Sequence, residues 1–351
     1  MKRYLKLWLT IGLMIVLTFA LTGCGGGDSK GTASKPDSSG KSAQGEKLAI
    51  KFGHHHSVGG AVDKFANKLA EISKEKSDGN IEIQVFPGAQ LGQEQEAIDG
   101  VNMGTLQMSI ISPGMMDKYH PVFGIETMPF IFDSWDHADK ALNGPAGEEM
   151  TKMLLEKSKI RILGYYHLGF RHMITRSKPI EKFEDINGLK MRSPEAWVWI
   201  RMFELLGTKP TPVTWGEAYT ALQTGVVEGM ESPAQNIIDM KFYEVTKNLT
   251  LDQHMFGTMT VITNEGFWQG LSDEQKQIIE TSVKEALDYC NENVTRVEDT
   301  NAVKKLKELG MKVIEINDSD KWREAVTPMY EEFKERAPGA DKIMELIDKA
   351  R

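Results

Sequence analysis

Residues 48–87, LAIKFGHHHSVGGAVDKFANKLAEISKEKSDGNIEIQVFP, decide the fold class. The first six, LAIKFG, alternate large apolar side chains (Leu48, Ile50, Phe52) with smaller or polar ones, the period of a half-buried strand. Residues 61–77 then repeat apolar side chains at helical spacing and run out into Gly79. IEIQVFP, residues 81–87, alternates again until Pro87 stops it. Strand, helix and strand in this order predict an α/β sheet.

The same rhythm continues downstream. EQEAIDGVNMGTLQMSII (94–111) reads as a helix running into a buried strand, and EEMTKMLLEKS (148–158) as a helix. A second series begins with IRILGYYH (160–167) and GLKMRS (188–193). It goes on through WVWIRMFELLG (197–207), TPVTW (211–215) and EAYTALQTG (217–225). Two α/β units in one chain predict two lobes with a ligand cleft between them, and ligands of open α/β sheets bind at the carboxyl ends of strands. From Ser272 to about Leu309 a helical pattern runs without proline. At 1.5 Å per residue it would reach about 50 Å, long enough to span both lobes. MKVIEI (311–316) adds a strand, and the tail is helical to Lys349. The expected architecture is a two-lobed, periplasmic-binding-protein-like α/β fold. Lobe I takes residues 47–168 and 258–297, lobe II residues 169–257 and 298–351, with a hinge near 168–171 and 257–258.

The N-terminal end carries a different signal. Lys2, Arg3 and Lys6 precede an apolar run from Leu7 to Leu21, and Leu21-Thr22-Gly23-Cys24 follows. This is the layout of a secretory signal peptide, residues 1–23. Its apolar run is shorter than the ~20 residues a comfortable membrane span needs. The small residues before Cys24 resemble a bacterial lipoprotein processing box, which implies cleavage before Cys24 and lipidation of its sulfur. Apart from Pro36, residues 25–46 hold no apolar side chain larger than alanine and predict a flexible tether. The expectation is an extracytoplasmic lipoprotein, held to a membrane by its lipid anchor and working as a monomer.

About 305 residues remain, enough for two domains with real cores. Loss of the three leader cations takes the formal charge from −8 to −11, which argues against nucleic acid as a partner. Beyond Cys24 only Cys290 remains, so neither an internal disulfide nor a cysteine-based metal site can form. His54, His55 and His56 are adjacent, and neighbours in an extended segment alternate faces, so three cannot converge on one metal ion. The expected site has no metal and no cofactor, with one histidine reaching into a cleft. Neither a GxGxxG nor a GxxxxGK[ST] loop occurs, nor a GxSxG elbow, and nothing pairs a nucleophile with a base. This fits a binder rather than an enzyme.

Two arginines stand out. Arg171 lies just after the strand IRILGYYH, and Arg192 lies in LKMRSP. Arginine suits a carboxylate clamp because its planar fork donates paired hydrogen bonds and stays charged when buried. Taken singly, each also fits a surface role. Trp215 directly precedes Gly216 and a helical stretch, where it could wall a pocket or fill a core.

Nearly all of residues 47–351 resembles the solute-binding proteins of tripartite ATP-independent periplasmic (TRAP) transporters, the DctP-like family. The pieces that carry the resemblance are VFPGAQLG (85–92), MPFIF (128–132), LKMRSP (189–194), PTPVTWGEAYTALQTGVVEGMESP (210–233) and KFYEV (241–245). It implies a fold that closes on an organic acid and delivers it to the membrane subunits of a TRAP permease. Arg192 falls on the family's principal clamp arginine, Arg171 on a second basic position, and Trp215 on an aromatic that packs on the ligand. His55, Glu94 and Ser112 match first-lobe positions that touch ligand in relatives. Where many members read Gln-Glu-Asn-Pro, this chain reads Met230-Glu231-Ser232-Pro233. A hydroxyl at Ser232 replaces the common amide, which together with His55 and Trp215 favours a hydroxylated acid, such as a sugar acid, over the smallest dicarboxylates. Two other roles stay open on sequence: a receptor that presents ligand to a membrane sensor, and a lipoprotein enzyme on the same fold.

Overall fold

The computed structural model describes residues 47–351. The leader, Cys24 and the tether at 24–46 lie outside the described residues. Nine strands form one sheet: β1 (Leu48–Gly53), β2 (Ile81–Phe86), β3 (Met108–Ile111), β4 (Ile160–Thr175), β5 (Lys190–Ser193), β6 (Lys209–Pro212), β7 (Gly229–Pro233), β8 (Asn248–Asn264) and β9 (Lys312–Glu315). Their order is β2-β1-β3-β8-β4-β7-β5-β6, with β9 also on β8.

The first half of the molecule starts as the alternation in 48–87 requires. β1 and β2 pair in parallel, with the helix Ala61–Lys76 as their crossover. Its buried stripe, Val62, Phe65, Ala66, Leu69 and Ile72, packs with Ile50 and Phe52 of β1. The second half repeats the scheme with β7, β5 and β6, all parallel.

The halves are joined by β4 and β8, which pair antiparallel along nearly their whole length. The end of β8 pairs with β3 of the first half, and its beginning with β9 of the second. The end of β4 pairs with β7. Beyond a shift between Ile162 and Gly164, the middle of the β4–β8 ladder slips register twice, between His167 and Gly169 and again between Arg171 and Met173. At the second slip β8 bulges over residues 251–254, with Gln253 at φ 48°. The Met173 N–H, which would otherwise lack a ladder partner there, donates to Asp252 Oδ1 at 3.1 Å. At the first slip Gly169 takes φ 87°, where a Cβ would lie 2.6 Å from the Asp299 carboxyl.

The long helical pattern is one continuous helical run. Asp273–Cys290 passes through a single π turn, Asn291–Thr295, into Arg296–Glu308. Ile279, Val283 and Ala286 join the core of the first half, whereas Ala302 and Leu306 join that of the second, so this run spans both lobes. Three C-terminal helices, Ser319–Val326, Pro328–Arg336 and Ala340–Asp348, share one apolar core with residues from both halves. Among the described residues no helix is long and apolar enough to cross a membrane.

Candidate functional site

A cleft opens where the carboxyl ends of β1, β3, β5 and β7 approach one another. Two adjoining hollows in it share Glu94, Arg192, Pro194 and Trp215, with empty volumes of about 370 and 360 Å³, open solvent at their mouths included.

Arg192 sits near the end of β5, in register with Thr211 of β6, and is 3% exposed. Its Nε donates to the Val213 carbonyl at 2.9 Å. Its guanidinium carbon lies 5.6 Å from the centre of the Trp215 ring, which shields one face of the cation. No acidic side chain among the described residues makes an ion pair with it. Burial lowers its pKa to about 10, with Glu231 and Glu94 opposing from a distance and Arg171 adding to the effect. The site therefore holds a desolvated cation whose terminal nitrogens have no carboxylate.

Arg171, also buried and also lining the cleft, is in a different state. It grips Glu231 of β7 with two nitrogens, Nε and Nη2, the latter at 2.8 Å from Oε1. Glu231 is in turn 3.6 Å from His254 Nε2, and His254 Nδ1 lies 2.7 Å from Asp252 Oδ2. Burial alone would make His254 less basic, but Asp252 and Glu231 outweigh it and raise its pKa to about 9. Burial would likewise raise Glu231, yet Arg171 and His254 hold it well below the carboxylate range. The four charges alternate and cancel, so Arg171 brings little net charge to the cleft.

The three adjacent histidines go to three different partners. His54 Nε2 lies 3.1 Å from Asp63 Oδ1. His55 Nε2 lies 3.7 Å from Glu94 Oε2. The His56 ring is 5.6 Å from Trp215, centre to centre. Burial makes His55 less basic, with Glu94 opposing and Arg192 assisting, and it takes His56 well below its ordinary value. Glu94 is the first residue of the helix Glu94–Met103, whose entry is fixed by a capping box between Gln93 and Glu96. From there it reaches the end of β3 and accepts the Ser112 N–H on Oε1.

Six of the seven binding residues nominated by the sequence thus line the second hollow: His55, Glu94, Ser112, Arg171, Arg192 and Trp215. Ser232 does not. It lies inside β7 opposite His172, fully buried, and its hydroxyl has no protein partner among the described residues. The nearby amide that lines the cleft is Asn236, on the helix Ala234–Asp239 that Pro233 opens. His56, Trp199 and Asn236 were not singled out as cleft residues, though the helix start after Ser-Pro could have pointed to Asn236.

Residues 52–336 match the DctP family, described as bacterial extracellular solute-binding protein, family 7. This chain belongs to that family. It is 33% identical over 284 residues to the sialic acid-binding periplasmic protein SiaP of Vibrio cholerae, covering 81% of this chain and 88% of that one. To the C4-dicarboxylate-binding periplasmic protein DctP of Rhodobacter capsulatus it is 30% identical, over 85% and 90% of the two chains. Among solved structures it superposes on the sugar acid binding protein of Advenella mimigardefordensis in complex with galactonate. The TM-score is 0.83 and the identity 28%, over 87% of this chain and 99% of that one. The DctP family consists of solute-binding proteins, and the two-lobed α/β fold expected from the sequence is the fold of these relatives.

Proposed function

We propose that this DctP-family protein captures a small organic acid in the interlobe cleft and hands it, chemically unchanged, to the membrane subunits of a TRAP-type permease. One observation carries the reading: Arg192 is a buried cation with no acidic partner among the described residues. A charge taken out of water without a counterion is costly, and a ligand carboxylate would offset that cost. Arg192 would hold the carboxylate by its free terminal nitrogens, Trp215 would form a wall beside it, and Asn236 would offer a donor. Arg171, fixed by Glu231 through Nε and Nη2, would shape the site and offer its remaining N–H donors. The relatives support the class of ligand, since their names include sugar acids, sialic acid and C4-dicarboxylates. The lobes would be residues 47–168 with 258–297 and residues 169–257 with 298–351, hinged near Gly169 and Gly257. A lipid on Cys24, followed by the tether, would keep a monomeric protein on the outer face of the membrane beside its permease, without any cofactor.

Isothermal calorimetry of residues 47–351 against sugar acids, dicarboxylates and 2-oxoacids tests this. At least one class should bind, and Arg192→Lys should weaken it by 100-fold or more, because an ammonium cannot reproduce the paired, stacked geometry. Unchanged affinity in that variant rejects Arg192 as the carboxylate seat.

A further inference from the structure

His54, His55 and His56 put three imidazoles side by side at the end of β1, and a carboxylate on Arg192 by itself gives them no task. His54 is engaged elsewhere, with Nε2 at 3.1 Å from Asp63 Oδ1. His55 and His56 both line the hollow that holds Arg192, and their ring centres are 4.5 Å apart. Their surroundings differ. The titratable groups whose charge reaches His56 are His55, His54 and Arg171, and none of them is acidic. His55 faces Glu94 at the start of the helix Glu94–Met103, with Nε2 at 3.7 Å from Oε2, and on its other side Arg192 of β5. It is the one ring of the pair with a carboxylate beside it. In the empty cleft burial disfavours a proton on His55, and the charge of Arg192 adds to that effect.

The empty cleft is close to electrical balance. Arg171 is cancelled by Glu231, and Arg192 and Glu94 carry one charge each of opposite sign. Glu195, at the rim, is exposed and screened by water. A ligand carboxylate on Arg192 upsets this balance. It adds a negative charge where screening is poor, and it neutralises the cation that had opposed a proton on His55. Resting on the reading of Arg192 as the carboxylate seat, we propose that His55 takes up a proton as the acid binds, so that the cleft captures acid and proton together. The complex then holds two balanced pairs, Arg192 with the ligand carboxylate and His55 with Glu94. Arg171, Glu231, His254 and Asp252 already show such an alternation in the neighbouring strands. The sign of the pH dependence follows, because a complex that holds more protons than its separate parts is favoured as pH falls. Affinity is greatest below the pKa of the ring in the empty cleft. It falls by up to about tenfold per pH unit between that value and the higher one in the complex.

The test uses galactonate, glucuronate, pyruvate and tartrate, whose own carboxyl groups stay ionised above pH 6, so that no proton comes or goes on the ligand. Calorimetry at pH 7 in phosphate and in Tris, buffers of different ionisation enthalpy, counts the protons taken up per acid bound. For the acid that binds tightest the count should be at least about 0.3, and affinity should drop roughly three- to tenfold from pH 6.5 to pH 8.5. His55→Gln, which keeps a donor beside Glu94 but cannot titrate, should take up fewer than about 0.1 proton and bind with an affinity flat over that range. His56→Gln should retain the uptake. A purely structural role for His55 would lower affinity in His55→Gln at every pH and leave the proton count as it was. If His55→Gln folds but binds none of the acids, the ring carbon signal that it lacks identifies His55 in the nuclear magnetic resonance spectrum of the natural protein. That signal must then move to the imidazolium position when acid is added. No uptake by the natural protein, uptake that survives His55→Gln, or a ring signal that stays neutral overturns the proposal while acid capture stands. If none of the acids binds the natural protein, capture and proton uptake fall together.

Discussion

At Arg192 the physics of binding and of stability pull in opposite directions. Burial lowers its pKa from 12.5 to about 10, and one unit corresponds to about 1.4 kcal/mol of preference between protonation states. The empty site therefore carries a penalty of roughly 3 kcal/mol for keeping this charge. The Val213 hydrogen bond and the Trp215 face recover part of it. Arg192→Met should abolish acid binding yet leave the unliganded protein as stable as before, or more stable by about 1–3 kcal/mol. Urea unfolding of both proteins measures this, and a loss of stability in the variant would show that the arginine holds the fold together.

Glu126 makes a similar argument away from the cleft. It is fully buried, with Oε2 accepting from Thr258 Oγ1 at 3.2 Å and Oε1 without a partner among the described residues. Burial pushes its pKa up to about 8, against a smaller lowering from Thr258. A raised acid pKa favours folding fully below the unfolded value near 4.5, and that contribution is lost as pH rises through 8. Glu126→Gln, which resembles the protonated form, should match the natural protein in melting temperature at pH 4.5. By pH 9 it should be more stable by a few kcal/mol. A gap that stays constant with pH refutes the assignment. Neither property was legible in the sequence. Arg192 announced itself through its motif, but its lack of a counterion depends on which carboxylates reach it, and Glu231 turns out to be held by Arg171. The same holds for Ser232, a motif position that is fully buried within β7 and lines neither hollow.

At the scale of elements, the helix Ala61–Lys76 has an unusual start. Gly59 and Gly60 precede it, and neither has a side chain to cap the helix. The Ala61 N–H is instead accepted by Asp239 Oδ2 at 3.1 Å, from the helix Ala234–Asp239 of the other half. Gln235 Nε2 steadies Asp239 by donating to Oδ1 at 2.8 Å. Gly60 permits the approach, since a Cβ there would lie 2.8 Å from the same carboxylate oxygen. A cap of this kind contributes about 1 kcal/mol, and this one exists only while the halves are together. Asp239→Ala should weaken ligand about fivefold, mostly by faster dissociation. Stopped-flow release reads this directly, and an unaltered dissociation rate would exclude the latch. Elements with a strong period were readable: β1, β2, the helix between them and the long helical run all fall where their patterns put them. β8 was not. Its bulge at 251–254 interrupts the alternation, and its buried Thr250, Asp252, His254, Thr258, Thr260 and Thr263 make it look like a polar loop. What makes it a strand is pairing with β3, β4 and β9, which are distant in sequence.

For the molecule as a whole, two lobes were legible from two α/β series, but one sheet was not. β4 and β8 each contribute to both halves, the helical run from Asp273 to Glu308 packs on both, and the C-terminal helices bury residues against both. Neither half can lose its structure without exposing strands and apolar side chains of the other. The expected consequence is one cooperative unfolding transition, in spite of the cleft. Differential scanning calorimetry of residues 47–351 should give a single peak whose calorimetric and van't Hoff enthalpies agree. Saturating acid at 100 times its dissociation constant should move that peak upward intact, by the ~2.7 kcal/mol that binding to the folded state adds. Two resolved peaks, or a ligand that moves only one of them, would mean that the lobes fold independently. The shared strands would then act as a hinge without also serving as the common core.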